Sequence, residues 1–334
     1  MKISRKMGLL IAILIFGMTI GGCQKEAAQE QRYAWPLATA STEDSITHAF
    51  AMAFAEEVER LSDGKMKITV YPQSTLGVDR ELLESCKDGD IPFVAQSPAT
   101  QVTFMKELCI FDTPCVFDDI TEARAAIDNE SFQDLIQNIY IGSGYRLLGI
   151  SDQNFRVMTS NQAFTGFESF KGQKIRTMEN PYHIQFWKAV KANPTPMTFS
   201  EVYIGLQQGT IDAQENSYIL IDSAKMYEQQ KYLIDTNIVP DYITLIVSEK
   251  FFNERTEEEQ KILIEAGKLA QVKAREVSDE KCESKKDDLV DAGMIAVSVD
   301  EETREKMKKA SESVYDSIKE VTGDELFYYY TGIE

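Results

Sequence analysis

The sequence predicts an α/β fold in two domains, and three observations carry that expectation. Short apolar runs of period two take turns with amphipathic segments of helical period, the pattern of a layered α/β protein. About 300 residues come after an apolar leader, enough for two domains of ordinary size. A stretch from Thr256 to about Ala292 opens with a capping box, Thr256 with Glu259. As one helix it would be roughly 50 Å long, longer than a small domain is wide, so it is expected to brace both domains. A hydrophobic content of 43% with 10% aromatics supports a packed globule.

The leader has three parts. Lys2, Arg5 and Lys6 precede an apolar stretch from Gly8 to Ile20, which is short for a membrane span, and the small pair Gly21-Gly22 stands just before Cys23. Residues 1–22 are therefore expected to be an export signal. The run Thr19-Ile20-Gly21-Gly22-Cys23 resembles the lipobox of bacterial lipoproteins, which implies that Cys23 is lipidated and that acyl chains hold the protein at a membrane surface. Gln24 to Gln31 is polar and aperiodic, so 23–32 reads as a tether.

Charge and cysteine usage narrow the partners. The chain carries a formal charge of −19, and its leader holds three basic and no acidic side chains, so the remainder of the chain is more acidic still. Nucleic acid is not an expected partner, and any anion must be gripped locally. Besides Cys23 there are Cys86, Cys109, Cys115 and Cys282, with no CxxC pair, and only His48 and His183 as histidines. No metal and no cofactor are expected. Cys109 and Cys115 could pair in an oxidising compartment, although small buried thiols are the simpler reading.

Element by element, Tyr33 to Ala38 reads as a strand and Thr39 to Asp44 as a polar loop. Ile46, Ala49, Phe50, Ala53, Phe54, Val58 and Leu61 recur at helical spacing, and Asp63-Gly64 ends that helix. Met66, Ile68 and Val70 alternate with Lys65, Lys67 and Thr69, so a strand comes next, and strand–helix–strand order favours parallel pairing. Then come a helix near Asp79–Lys87, a strand near Ile91–Gln96, one helix near Ile120–Tyr140 and a strand at Tyr145–Ile150. A strand across Asn154–Ser160 and another at Gln173–Thr177 precede helices at Pro181–Lys191 and Ser200–Gln208, the latter stopped by Gly209. After the long helix come a strand at Met294–Val299 and a closing helix from Asp300.

Enzyme signatures are missing. The chain has no GxSxG elbow, no GxxxxGK[ST] phosphate loop, no GxGxxG fingerprint and no kinase set. Its 54 acidic residues offer many carboxylate pairs, so no one pair is informative. The segment Phe155–Asn216 contains only two arginines, Arg156 and Arg176, both at expected strand positions. A guanidinium fixed on a strand presents a planar donor fork suited to a carboxylate.

Ordered motifs through this segment carry a resemblance: Arg156-Val157-Met158-Thr159-Ser160-Asn161, Phe170-Lys171-Gly172-Gln173-Lys174-Ile175-Arg176, Asn193-Pro194-Thr195-Pro196-Met197-Thr198-Phe199, Leu206-Gln207-Gln208-Gly209 and Asp212-Ala213-Gln214-Glu215-Asn216. With Tyr71-Pro72-Gln73-Ser74-Thr75-Leu76-Gly77 they make the chain similar to the DctP-type solute-binding proteins of tripartite ATP-independent periplasmic (TRAP) transporters. The resemblance implies a two-domain periplasmic-binding-protein clamshell, non-catalytic, that closes on a small carboxylate such as a C4-dicarboxylate, uronate or sialate. It implies Arg176 as the principal carboxylate partner, Arg156 as an assisting arginine, Asn216 as a hydrogen-bonding asparagine and Phe199 as a cleft-lining residue. Gln96 is a further candidate, at the end of its strand. The implied partners are the small and large TRAP membrane subunits, and the chain is expected to act as a monomer outside the cytoplasmic membrane, in the periplasm or at the cell surface.

The expected division is 1–22 signal, 23–32 tether, 33–153 with about 242–281 as domain I, and 154–241 with about 282–334 as domain II. Glu43 and Asp44, in the loop after the first strand, are candidate selectivity positions, with capping and dipole complementarity at the helix start as the favoured reading. Tyr182, His183 and Trp187 are read as a core face, Trp35 as core, and Phe327–Tyr330 as packing of the last helix. The family often has Gly at the position of Ala213 and Pro at that of Ser217, which questions the placement of Asn216. Two other functions remain open: a lipoprotein that reports ligand occupancy to a membrane receptor, and an exported carbohydrate-active enzyme.

Overall fold

The structure is a computed structural model and describes residues 33–333. The expected signal over 1–22, the tether over 23–32 and the lipidation at Cys23 lie outside the described residues. The chain runs through β1 (Tyr33–Ala38), α1 (Ile46–Leu61), β2 (Met66–Tyr71), α2 (Asp79–Asp88) and β3 (Phe93–Gln96). β1 pairs in parallel with β2 and β3, as strand–helix–strand connections require. Helix α1 starts where Ser45 Oγ accepts from the His48 amide at 3.1 Å, and it buries Phe50, Phe54 and Val58. Glu43 and Asp44 are exposed and do not cap it; Ser45, one residue closer to the first turn, does.

The single helix expected near Ile120–Tyr140 is two, α3 (Ile120–Ile127) and α4 (Glu130–Gly142). The Asn129 side chain accepts from the Phe132 amide at 3.1 Å, so a capped new helix begins where an unbroken one was expected. β4 (Tyr145–Phe155) continues past Ile150, and β5 (Val157–Ser160) begins after one residue, Arg156. Arg156 therefore stands in the joint between two strands, not within one. The second half holds β6 (Lys174–Thr177), α5 (Pro181–Ala189), β7 (Asn193–Pro196), α6 (Phe199–Gln207), β8 (Ala213–Asn216), α7 (Tyr218–Ser223) and β9 (Tyr232–Asp235). The chain ends with β10 (Pro240–Ser248), α8 (Glu249–Asn253), α9 (Glu257–Asp291), β11 (Ile295–Ser298) and α10 (Glu301–Thr331).

Two sheets result, ordered β2-β1-β3-β10-β4 and β11-β9-β5-β8-β6-β7. The first centres lobe I and the second lobe II. The chain passes between them from β4 to β5 and again from β9 to β10, and these passages are joined: Arg156 N donates to Val239 O at 2.9 Å and Ile238 N to Arg156 O at 3.1 Å. Asn154 and Asn237 sit at φ 64° and 43°, left-handed values that asparagine tolerates and that turn each passage.

The third connection is α9, with its capping box at Thr256 and Glu259. Leu263, Ala266, Ala270 and Ala274 of its first half pack into the lobe I core, whereas Leu289 near its end joins the lobe II core. At Gly267 a Cβ would lie 2.4 Å from the Leu148 carbonyl oxygen, so the helix lies directly on β4. Gln271 Oε1 accepts from the Ile150 amide at 2.8 Å, beside an irregularity in the β4–β10 ladder. Helix α10 also touches both lobes: Tyr330 stacks on Phe132 of α4, and Gln185 of α5 donates to Ser313 O and Ser317 Oγ. Phe327 and Tyr330 are buried and Tyr328 is half exposed, so the aromatic run packs the helix end.

Candidate functional site

Arg176 lies on β6, between β7 and β8 of the lobe II sheet. Gly172, at φ 79°, turns the chain into this strand, and Ile175 packs into the core beside it. The Arg176 side chain is 2% exposed; Nε and Nη2 donate to the Met197 carbonyl at 3.0 and 2.8 Å, while Nη1 has no partner. Burial, helped by the positive charge of Arg156, pushes its pKa down to about 10, against the opposing pull of Glu215, Asp79 and Glu179. The group is a held guanidinium with one free corner.

Arg156 is placed differently. Its Nε and Nη2 pair with the Glu215 carboxylate, Nη1 donates to Asp241 Oδ1 at 2.5 Å, and Nη2 also reaches Glu215 O at 2.7 Å and Asn216 Oδ1 at 2.8 Å. Burial opposes its charge, but Asp241 and Glu215 overcome that and raise its pKa. Glu215 in turn is disfavoured by burial yet held down to about 2 by Arg156 and His183. His183 Nε2 lies 3.0 Å from Asp112 Oδ1 and Nδ1 lies 3.5 Å from Glu215 Oε1. Burial is overcome here too, and the His183 pKa rises to about 9. Asn180 Nδ2, at the N-cap of α5, donates to Asp112 Oδ2 at 2.6 Å and to Ala99 O at 2.8 Å. Asp112 and Asp241 belong to lobe I and the rest to lobe II, so one buried ionic network ties the lobes together beneath the cleft.

Arg156, Arg176, Asn216, Phe199 and Gln96 all line one cavity, about 460 Å³ with its mouth included, with walls from both lobes. A neighbouring space of about 480 Å³ shares Arg176, Asp79 and Phe199, so the Arg176 side chain stands between the two. Asn216 is 2% exposed, its Nδ2 donating to Gln214 Oε1 at 2.5 Å. Ala213 sits in regular strand, paired with Ser160 and Ile175, and Ser217 has φ −66°, a proline-compatible value. Neither departure from the family pattern distorts the strand that carries Asn216.

The carboxylates around Arg156 and the Asp112–His183 pair were not legible in advance. Glu215 lies inside the Gln214-Glu215-Asn216 motif, but nothing local distinguishes Asp112 or Asp241 among so many acids. Tyr182 and Trp187 pack in the core as expected; His183 is in the core but as an ion pair. Among the described residues no cluster of His, Cys, Asp and Glu could hold a metal ion, and Cys86, Cys109, Cys115 and Cys282 are free thiols. Burial pushes the Cys109 thiol up to about 12, far from reactive.

Two α/β lobes joined by three connections, with a buried cationic donor in the cleft, define a binding protein of the clamshell class. The chain belongs to the bacterial extracellular solute-binding proteins, family 7 (DctP), whose profile matches residues 37–321; these are binding components of TRAP transporters. A TRAP periplasmic solute-binding protein from Bordetella bronchispeptica, its ligand density interpreted as pantoate, is 32% identical with a TM-score of 0.85, covering 91% of this chain and 100% of that one. Another, from Polaromonas sp JS666 and bound to D-erythronate, is 29% identical with a TM-score of 0.86, covering 91% and 99%. A solute-binding protein of Verminephrobacter eiseniae is 35% identical over 216 residues, 64% of each chain, so the alignment spans just under two thirds of that relative.

Proposed function

We propose that the protein captures a small organic acid outside the cytoplasmic membrane and hands it to the membrane subunits of a TRAP transporter. The observation that carries this reading is the free Nη1 of Arg176, a buried cationic donor on the wall of the interlobe cavity. A carboxylate is the partner such a donor lacks. One charge-assisted hydrogen bond is worth about 1.5–3 kcal/mol, whereas micromolar affinity takes about 8, so the rest of the cavity contributes. Asn216 and Arg156 position the wall beside Arg176, Phe199 supplies an apolar contact, and Gln96 a polar one.

The lobes that close on the ligand follow the expected division, 33–153 with about 242–281 and 154–241 with about 282–334, except that the ends of β4 and β10, Phe155 with Pro240 and Asp241, count with lobe I. The binding energy favours the closed arrangement. No reaction is part of this function: Glu215 and Asp241, the carboxylates nearest Arg156, are tied up in ion pairs, and the acid is released unchanged. A thermal-shift comparison of organic acids with their amides tests the reading, because a ligand that binds only the folded state raises its stability by mass action. Acids should raise the unfolding temperature and the matched amides should not; equal shifts from both would contradict it.

The mature protein is held at the membrane by a lipid on Cys23, following cleavage after Gly22. Cys23→Ser is expected to move the protein from the membrane fraction to the soluble extracytoplasmic fraction without changing ligand affinity. A variant that stays membrane-bound would contradict the anchor alone.

A further inference from the structure

The lobe I wall of the cavity carries hydrogen-bond acceptors without partners, and neighbouring chemistry fixes how they are oriented. Gln96 is 2% exposed; its Nε2 donates to Thr100 Oγ1 at 3.1 Å, and that hydroxyl gives its own proton to the Ser97 carbonyl at 2.8 Å. A hydroxyl that has given its proton can only accept, so the amide nitrogen of Gln96 faces Thr100 and its oxygen does not. Gln153, also 2% exposed, donates from Nε2 to Asp241 Oδ2 at 3.1 Å. A carboxylate ion-paired with Arg156 can only accept, which fixes this second amide in the same way. Both Oε1 atoms are buried and unpartnered, and both residues line the cavity that Arg176 lines. A buried acceptor without a donor is unfavourable until a ligand supplies one.

The charges point the same way. Arg156 is met by Glu215 and Asp241, so the free corner of Arg176 is the one unpaired cationic donor among the described lining residues. Asp79, half-buried at the start of α2, adds a carboxylate to the same lining. One carboxylate on the ligand can be matched; a second would meet Asp79 and two amide oxygens.

We infer that the ligand is a monocarboxylate whose remaining chain carries hydroxyl groups, and that Gln96 and Gln153 select it against dicarboxylates by accepting from those hydroxyls. This rests on the reading of Arg176 as the carboxylate partner. Hydroxyls suit the wall better than an ammonium does, because Ser41 and Thr47 also line the cavity and a hydroxyl can both donate to and accept from its neighbours.

Matched probes of one chain length test the selection by isothermal titration: erythronate against succinate, butyrate and 4-aminobutyrate, then xylonate against glutarate, then gluconate against adipate. At the length that fits, the hydroxylated acid should bind at least about tenfold tighter than its dicarboxylate and unsubstituted counterparts, since a site built to hydrogen-bond a hydroxyl rejects analogues lacking it. Gln96→Leu should remove most of that margin. A dicarboxylate or amino acid that binds as tightly as the hydroxy acid, or a margin indifferent to Gln96→Leu, would overturn the inference while the carboxylate reading stands. Failure of every acid to bind, or binding indifferent to Arg176→Ala, would overturn both. The panel on the parent protein decides even if Gln96→Leu does not fold.

Discussion

Arg176→Ala should weaken binding of the acid by roughly 30-fold to several thousand-fold, the range corresponding to the 2–5 kcal/mol typical of truncating one partner of a buried, hydrogen-bonded charge pair. The effect is large because the other donors near the cavity are committed: Arg156 to Glu215, Asp241 and Asn216, and Asn216 to Gln214. Arg176→Lys should fall between, since a point charge replaces a fork whose other two nitrogens are fixed on the Met197 carbonyl. The ligand-free protein should respond differently. Burial and Arg156 push the Arg176 pKa down to about 10, and a base whose pKa falls on folding weakens the fold at every pH below the folded value. Arg176→Met removes that buried charge, so its ligand-free unfolding midpoint should not fall, although the Met197 carbonyl loses its donors. Binding and stability are thus opposed at this residue, as expected where a site is held ready for a charged ligand.

The second large effect concerns the network beneath the cleft. Glu215→Ala should cost about 3–5 kcal/mol of stability, because it leaves the Arg156 guanidinium buried with a single carboxylate partner. The same network predicts a pH profile. Glu215 titrates at about 2 in the folded protein instead of 4.5, so its contribution is complete above 4.5 and lost as the pH falls towards 2. His183 titrates at about 9 instead of 6.5, so its contribution is complete below 6.5 and lost as the pH rises towards 9. Burial pushes Asp79 up to about 6 from 3.8, which adds a loss of stability as the pH rises through that interval. Ligand-free stability should therefore be highest just below pH 4.5, where the Glu215 contribution is nearly complete and the Asp79 loss is only beginning, and decline on both sides. Thermal unfolding across pH checks this: Glu215→Ala should flatten the acid limb and His183→Gln the alkaline limb. A parent profile that is flat from acid to alkaline pH would contradict the network's role.

Local signals made much of this protein legible in its sequence. β1, α1, β2 and α9 lie almost where alternation, helical spacing and the Thr256 capping box put them, because each has one wet face and one dry face. β10 is buried at every residue and so shows no alternation to read. β7 contains Pro194 and Pro196, which argue against a strand, and is tolerated because it is the sheet's edge. The break at Asn129 rests on one cap inside a helical pattern, and the placement of Arg156 on a passage between the lobes, which no local pattern signals. At the site, the residues carried by motifs come together in one cavity. Asp112, Asp241, Gln153 and Asp79 join them from sequence-distant elements, and only the fold brings those near.

The proposed function rests above all on Arg176 holding the ligand's carboxylate. Isothermal titration of the parent and Arg176→Ala with the same acid, and of the parent with that acid's amide, tests it most directly. Measurable binding is expected for the parent with the acid, and severe loss when either the guanidinium or the carboxylate is removed. Affinity for the acid that survives Arg176→Ala unchanged would contradict it.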